Sequence, residues 1–336
     1  MSAAVWLGVL LSLVGGILAG NCMLPMKYAR KWAWENIWLA YSLAALVLLP
    51  WGMALAAVEN LGEVYAAIPL SGYAAPFLFG FGWGIAQVLF GLSIARLGLA
   101  LGYAIIIGLG ALLGSLVPLF VQRREVLGTS SGALVLGGVA IMIVGIVVSG
   151  FAGRMRERAA VPNSPAPGTG GYGTALLVAV ICGLMAPMLN YSFAFGQGIA
   201  EEAVRQGTPA ARAGYAVWPV GLAGGLIPNV VYCWRLLSRN RTWSRFSEPR
   251  ESWLAAAMGV MWMGAMAVYG VATVYLGALG TSAGWALFQI FMIMTANLSG
   301  MVTGEWRNAP GRASKLMWLG LALLALATVV ISLGNR

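Results

Sequence analysis

A chain of 336 residues in which 60% are apolar and only 9% are charged is not an ordinary water-soluble domain, because such domains carry about a quarter charged residues. The net charge of +10 comes from 20 Lys and Arg against 10 Glu, with neither Asp nor His in the chain. These cations stand in short loops between apolar blocks. That pattern is typical of a membrane protein and does not indicate a nucleic-acid partner.

Ten apolar blocks are long enough to cross a bilayer as helices, since about twenty helical residues span roughly 30 Å of hydrocarbon. The sequence therefore predicts an all-α fold, a polytopic membrane protein with ten transmembrane helices. The predicted spans are 3–25, 36–57, 74–95, 99–121, 132–152, 173–195, 213–234, 253–276, 281–303 and 314–333.

A polar stretch at 153–172 lies between the fifth and the sixth predicted span. Its Arg, Pro, Gly and Ser content predicts a flexible linker. The chain is thus predicted to consist of a first five-helix unit at 1–152 and a second at 173–336.

The distribution of cations predicts the orientation of these spans. Loops after spans 1, 3, 5, 7 and 9 hold fifteen of the twenty Lys and Arg residues, and the opposite side holds five. Loops rich in Lys and Arg stay in the cytoplasm. We therefore expect the linker to be cytoplasmic and both termini to lie outside, on the same side as the acidic loop 58–73.

One apolar stretch occurs twice. Trp83–Gly98 returns as Trp262–Gly277 at a constant offset of 179 residues. The matched pairs are Trp83 with Trp262, Phe90 with Tyr269, Gly91 with Gly270, and Gly98 with Gly277. Because each unit has an odd number of spans, the second must enter the membrane in the opposite sense. The pattern predicts two inverted repeats, a plan common among carriers. A chance match of two Gly-rich segments is the alternative.

Prolines mark a second correspondence between the two units. Pro25-Met26 near the end of span 1 matches Pro187-Met188 in span 6. Proline lacks the N–H that a helix needs, so both spans are predicted to be interrupted there. In a carrier these would be places to bend. A rigid kink is the alternative.

Several strings resemble the L-rhamnose–proton symporter family of the drug/metabolite transporter superfamily. Residues 30–35 (RKWAWE) are similar to its basic-Trp-x-Trp-Glu segment, and residues 305–308 (EWRN) to its Glu-Trp-x-Asn segment. Residues 79–84 and 91–98 resemble its third span, and 179–183 the start of its sixth. The resemblance implies import of L-rhamnose with a proton across the cell inner membrane. In this membrane, the outside position that the cations predict for both termini is periplasmic.

A sugar site inside a membrane needs polar groups for the sugar hydroxyls and an aromatic face for its C–H side. Polar residues within spans normally face the bundle interior. We predict a central substrate site formed by Trp83, Gln87, Asn190, Trp262, Trp285 and Gln289. The amides also fit a packing role worth roughly 1 kcal/mol, and the indoles could simply pack against glycines.

Most other tryptophans stand near span ends and are predicted to form the interfacial belt. They are Trp32, Trp34, Trp38, Trp51, Trp253 and Trp306.

Proton coupling has few candidate groups, since no Glu falls in the middle of a span. Glu35 and Glu305, both at membrane edges within the family-like strings, are predicted to serve proton coupling or gating. An acid at a helix N-terminus such as Glu35 is favoured by the macrodipole alone. Glu305 follows a helix C-terminus and needs a cation. The candidates are Lys27, Arg307, Arg312 and Lys315.

The predicted function is an inner-membrane carrier for L-rhamnose or a related sugar, working by alternating access and coupled to protons. Its partners are a sugar, protons and the lipid bilayer. The alternative is a facilitator or exporter of another small metabolite without proton coupling, which the missing mid-membrane acid favours. An enzyme is not predicted, because the chain offers neither a nucleophile with a base nor a metal cluster. No cofactor and no metal are expected, and nothing fixes the oligomeric state.

Overall fold

The computed structural model describes residues 3–97, 99–160 and 172–335. Within these residues ten segments are long and apolar enough to cross a membrane, as predicted, and no strand occurs. We number them spans 1 to 10. They are Ala3–Tyr28, Trp34–Ala57, Leu70–Ile94, Leu101–Gln122, Ser130–Ala159, Gly173–Arg205, Ala210–Asn240, Pro249–Leu279, Ala283–Val302 and Gly311–Gly334.

Several spans contain more than one helix, and a short helix stands outside them. The α-helices are Ala3–Asn21, Trp34–Leu43, Leu49–Ala57, Leu61–Ala67, Leu70–Leu97, Leu99–Gln122, Ser130–Ala160, Tyr172–Met185, Met188–Phe195, Gln197–Arg205, Ala210–Ala213, Trp218–Asn240, Ser252–Leu276, Ala283–Val302 and Gly311–Gly334.

Spans 1 and 6 are interrupted where the matched prolines stand. The α-helix of span 1 ends at Asn21, and Pro25 lies in the 3₁₀ helix Leu24–Tyr28 that follows. In span 6 one helix ends at Met185 and the next begins after Pro187. The predicted interruptions are therefore confirmed in both spans.

The predicted linker begins later than expected. The helix of span 5 continues to Ala160, so residues 153–160 are helical and not a flexible connection. Residues 161–171 of the predicted linker lie outside the described residues, as does Gly98 of the repeated stretch. Arg156, on this extra helical length, turns out to have a partner in the second unit.

Spans 1 to 5, which we call the first unit, pack against spans 6 to 10, which we call the second unit. Span 1 packs on spans 8 and 9, span 6 packs on spans 3 and 4, and span 5 packs along span 10. Small residues let span 1 come close: a Cβ on Gly20 would stand 2.6 Å from the Met292 carbonyl oxygen. Close backbone approach at small residues is the usual way for helices to associate inside a membrane.

Spans 3 and 7 cross at glycines on both sides. A Cβ on Gly80 would overlap the carbonyl oxygen of Gly221, and one on Gly84 would overlap that of Gly225. No side chain therefore separates the two backbones at this crossing. The contact brings the middle of span 3, with Trp83, against the second unit.

Both described ends of the chain lie at the same end of the bundle. Gly8 of span 1 packs on Leu276, and the Asn335 side chain donates to the Leu276 carbonyl oxygen at 3.0 Å. We call this the termini end. The opposite end is formed by the loops after spans 1, 3, 7 and 9 and by the span ends that adjoin this side. These segments of the sequence hold most of the cations, and we call this the basic end.

Candidate functional site

Two predicted site residues meet at the centre of the bundle. The indoles of Trp83 on span 3 and Trp262 on span 8 stack with ring centroids 5.4 Å apart and planes 20° from parallel. Both are buried. Gly225 makes room for the Trp83 ring, since a Cβ there would lie 2.9 Å from it. We call these two rings the indole pair.

Asn190 lies nearer the termini end and is fully engaged within the protein. Its amide nitrogen donates to the carbonyl oxygens of Gly114 and Thr281, both at 2.8 Å, and its oxygen accepts from the Tyr269 hydroxyl at 2.5 Å. Pro118 lacks the N–H that would otherwise bond the Gly114 carbonyl, so Asn190 replaces a missing helix bond. Asn190 thus joins spans 4, 6 and 8.

Trp285 belongs to the same group of contacts. Its ring packs edge-on against Tyr269 with centroids 5.5 Å apart, and its indole nitrogen donates to the Gly110 carbonyl oxygen at 3.2 Å. Tyr269 therefore gathers Asn190 and Trp285 into one cluster, which we call the Tyr269 cluster. Its polar groups already have protein partners.

The two predicted glutamines follow members of these groups by one helical turn, Gln87 after Trp83 and Gln289 after Trp285. Gln289 is buried and Gln87 is partly exposed. Neither makes a hydrogen bond with any residue that the structure describes. Their amides thus remain available to a ligand, in contrast to the amide of Asn190.

Glu35 starts span 2 at the basic end and contacts the end of span 7. Its carboxylate accepts from Asn240 at 3.0 Å and from the Thr242 hydroxyl at 2.7 Å. The neighbouring Asn36 donates to the Thr242 carbonyl oxygen. Glu35 is 5% exposed, and no Lys or Arg nitrogen in the described chain lies within 4.0 Å of it. It is a buried acid with neutral partners.

Glu251, at the start of span 8, was not predicted as a functional residue. Its carboxylate accepts from the backbone N–H groups of Arg30, Lys31 and Trp32 at 2.6 to 2.7 Å. Trp32 also donates its indole N–H to the Glu248 carbonyl oxygen at 2.9 Å. The loop between spans 1 and 2 is thus held on the first turn of span 8.

Glu305, in the loop between spans 9 and 10, has two cationic partners. Lys27 lies at 2.5 Å and Arg156 at 3.0 Å, and the Arg156 guanidinium also sits 5.0 Å over the Trp306 ring. The hydrogen bond from Lys27 is the main cause that lowers the pKa of Glu305, against a smaller opposing effect of burial. Lys27 was among the predicted partners, and Arg156 was not.

Each of these acids bonds across the two units. Glu35 belongs to the first unit and bonds to the second, whereas the other two belong to the second and bond to the first. We call Glu35, Glu251 and Glu305 the basic-end glutamates. Together they tie the ends of spans 1, 2, 5, 7, 8 and 9.

A cavity of about 450 Å³ opens at the termini end, on the far side of the Tyr269 cluster from the indole pair. Thr281, whose carbonyl oxygen accepts from Asn190, is part of its wall. Its polar lining residues are Gln122, Arg123, Gln197, Glu201, Thr273 and Thr281. The cavity thus extends to Thr281, one hydrogen-bond partner of Asn190.

Comparison with known proteins shows the family of this chain. The model of the L-rhamnose-proton symport protein (RhaT) family matches residues 1–336. The chain belongs to this family. It is 26% identical to an L-rhamnose-proton symporter of Mannheimia succiniciproducens and to one of Escherichia coli strain SMS-3-5, in each case over 99% of both chains. It is therefore a multi-pass membrane protein of a symporter family.

The two most specific family-like strings lie at the same end of the bundle. Residues 30–35 supply Glu35 and the amides that bind Glu251, and residues 305–308 supply Glu305. In this member of the RhaT family, both strings thus contribute to the contacts that join the two units at the basic end.

Sequence reasoning missed two aromatic residues near the indole pair. Trp38 was predicted to be interfacial, but it is buried and donates its indole N–H to Asn229 at 2.8 Å. Tyr41, 2% exposed, was not considered. Their spacing after Trp34 places all three on one helix face, and that pattern was visible in the sequence.

Proposed function

We propose that this chain imports L-rhamnose together with protons across the cell inner membrane. The observation that carries the proposal is membership of the RhaT family over the whole length, with relatives named L-rhamnose-proton symporter. The buried indole pair supports it, because a pyranose needs a flat apolar surface deep in the bundle. The pair lies between the Tyr269 cluster and the basic-end glutamates, which join the spans by different contacts.

The proposed substrate site is central and includes Trp83, Trp262, Gln87 and Gln289. The first two offer indole faces, and the glutamines hold amides without a partner among the described residues. Asn190 and Trp285 would lie on the termini side of this site. Their polar groups hold spans together there, so they would affect substrate binding through the positions of those spans.

Alternating access would proceed by movement of two inverted five-helix repeats. The corresponding packing of spans 1 and 6, and their matched interruptions at Pro25 and Pro187, support this plan. Opening toward one side requires the cross-unit bonds at that end to break while those at the other end persist.

The basic end is proposed to be cytoplasmic, since it carries most of the cations. Fusing a reporter that is active only in the periplasm to the C-terminus tests this orientation. Activity of the C-terminal fusion, and none for the same reporter inserted in the loop after span 7, is the expected result. The reverse pattern would contradict it.

We propose that Glu35 carries the coupled proton and that Glu305 holds the basic end closed. Glu35 is buried among neutral hydrogen-bond donors, so its carboxylate can be protonated without breaking an ion pair. Arg245, in the 3₁₀ helix Trp243–Ser247 that follows span 7, is a cation that acts on it without an ion pair. Glu305 is held ionised by Lys27 and Arg156.

Uptake into proteoliposomes tests the transport proposal. Labelled L-rhamnose should accumulate when the outside is acidic, and a protonophore should abolish the accumulation. Glu35→Gln should still exchange L-rhamnose across the membrane but lose the response to the pH gradient, whereas Glu305→Gln should keep it. Unchanged accumulation by Glu35→Gln would remove Glu35 from the coupling step.

A facilitator or exporter without proton coupling is the second candidate. The observation that favours it is the position of the acids, since the described glutamates lie at the ends of spans or in loops. Uptake by the unmodified protein that ignores the pH gradient would favour this candidate. Absence of L-rhamnose uptake, together with stabilisation by another metabolite, would change the substrate.

A further inference from the structure

Five aromatic rings connect the basic end with the centre of the bundle. Trp34 stacks on Trp38 with centroids 5.0 Å apart, and Tyr41 follows Trp38 at 5.2 Å. Tyr41 then meets Trp262 edge-on at 6.4 Å, and Trp262 stacks on Trp83. We call these rings the aromatic ladder. It starts at Trp34, which is 37% exposed, and becomes buried toward the centre.

Tyr41 is the one member of the ladder that carries a hydroxyl, and this hydroxyl has no hydrogen-bond partner among the described residues. Other buried tyrosine hydroxyls are paired: Tyr269 donates to Asn190 and Tyr191 to the Leu113 carbonyl oxygen. An unpaired buried hydroxyl lowers stability, and a phenylalanine would fill the same space without this cost.

The helix changes its geometry three residues after Tyr41, at Ala44. Residues Ala44–Leu48 form a π-helical turn, in which the Leu49 N–H bonds to the Ala44 carbonyl oxygen five residues earlier. Pro50 follows, and Gly259 of span 8 packs against Ala44. Such wide turns are rare and occur frequently at functional sites. Two irregular features, an unpaired hydroxyl and a π turn, therefore adjoin in span 2.

We propose that the Tyr41 hydroxyl is a substrate contact, which hydrogen-bonds one hydroxyl of a pyranose whose C–H face lies on Trp262 and Trp83. This rests on the proposed function and adds a polar residue to the site. A 6-deoxy sugar suits such a site, since its methyl group extends the apolar surface that the indoles can cover.

The closed indole pair sets a condition on this contact. With centroids 5.4 Å apart, the two rings leave no space for a sugar between them. The substrate therefore reaches Tyr41 only after spans 3 and 8 have separated, which is the movement that alternating access requires. Tyr41 bonds the sugar in that open arrangement.

Comparison of two variants isolates the hydroxyl. Tyr41→Phe removes it and keeps the ring. Ser149→Ala removes another buried, unpaired hydroxyl. It belongs to span 5 and faces Gly320 of span 10, away from the ladder. For both purified proteins, the midpoint of thermal unfolding is measured without sugar and over a titration of L-rhamnose.

For Tyr41→Phe we expect an unfolding midpoint without sugar that is unchanged or higher, and an affinity for L-rhamnose reduced about tenfold or more, since a site that bonds a hydroxyl discriminates strongly. Ser149→Ala should bind as the unmodified protein does. Monodeoxy analogues of L-rhamnose add a sharper readout: one of them should lose affinity for the unmodified protein but not for Tyr41→Phe.

Each other outcome overturns the inference. Equal affinity of Tyr41→Phe and the unmodified protein removes the contact, and a lower unfolding midpoint for Tyr41→Phe makes the hydroxyl structural. If the unmodified protein responds to no sugar in a panel of deoxyhexoses and hexoses, the proposed function fails first. That result differs from a failure of Tyr41 alone, in which the unmodified protein still responds.

Discussion

At the basic end, three carboxylates bond to cations, polar side chains and backbone N–H groups of the other unit. At the termini end, in the described residues, side chains donate to carbonyl oxygens of the other unit without a carboxylate; most of these donors are neutral, and Arg123, which donates to the Ala278 carbonyl oxygen at 3.0 Å, is charged. Glu251 and Glu305 represent the first kind of contact. The second is represented by Asn190 and by Tyr65, whose hydroxyl donates to the Ala216 carbonyl oxygen at 2.9 Å. The two ends are therefore closed by different chemistry.

This difference determines which end responds to solution conditions. Ion pairs and carboxylates weaken when salt screens them or when a proton neutralises them. Hydrogen bonds between amides, hydroxyls and carbonyl groups have no titrating partner and respond little. A carrier built this way can change the stability of its basic end without disturbing the termini end.

The largest effect is expected at Glu251. Glu251→Ala leaves the three N–H groups of residues 30–32 without their acceptor, so we expect a loss of about 3 kcal/mol in the free energy of unfolding. Denaturation in detergent micelles measures it. The matched control is Glu248→Ala, which breaks an exposed ion pair with Lys31 and should cost less than about 1 kcal/mol. Equal losses would contradict the comparison.

An intermediate effect is expected at the termini end. Asn190→Leu leaves the carbonyl oxygens of Gly114 and Thr281 unpaired, at a cost of about 2 kcal/mol. Asn297→Leu is the control, because within the described residues that amide bonds only to the Ile293 carbonyl oxygen of its own helix. The loss for Asn190→Leu should be the same at low and high salt. A strong salt dependence would mean that the termini end is not neutral in character.

The smallest effect is expected for the titration of Glu305. Its pKa is lowered from the ordinary 4.5, so it stabilises the folded state at neutral pH and loses this contribution as the pH falls through its folded value. Glu305→Gln should be less stable than the unmodified protein at pH 7, by under about 1 kcal/mol because the pair is partly exposed.

The gap between the two proteins should narrow as the pH falls below the ordinary 4.5 and close below the lowered pKa of Glu305, which stability measurements across acid pH can test. A gap that stays constant over the whole range would mean that the charge of Glu305 contributes nothing. High salt at pH 7 should reduce the gap in the same direction as acid, since it screens Lys27 and Arg156.

The spans and their interruptions were predictable because their causes are local. Hydrophobic length alone fixes whether a segment crosses a bilayer, and Pro25 and Pro187 remove helix bonds wherever they stand. The approach of Trp83 to Trp262 could also be predicted, because the two residues occupy the same position in the repeated stretch. Such inferences need no knowledge of which spans are neighbours.

The remaining contacts depend on neighbours that are distant in the sequence. Trp32, Trp38 and Trp306 were predicted to be interfacial from their positions near span ends, yet all three are buried against protein. The partners of Trp32 and Trp38 come more than 190 residues later in the chain. Glu251 likewise accepts N–H groups from residues some 220 positions earlier, and backbone donors leave no trace in a sequence.

The glycine crossing of spans 3 and 7 acts as a pivot of fixed position. Because no side chain lies between Gly80 and Gly221, the spacing there cannot shrink or relax by rotamer changes, and the helices can only turn about the contact. Trp83 lies between the two glycine contacts, at Gly80 and Gly84, whereas Leu97 lies about 20 Å beyond Gly84, at 1.5 Å per residue. Turning span 3 by about 10° around the crossing would therefore leave Trp83 almost in place and move Leu97 by about 4 Å. A tilt of span 3 thus becomes large at the basic end while it is still small at the indole pair.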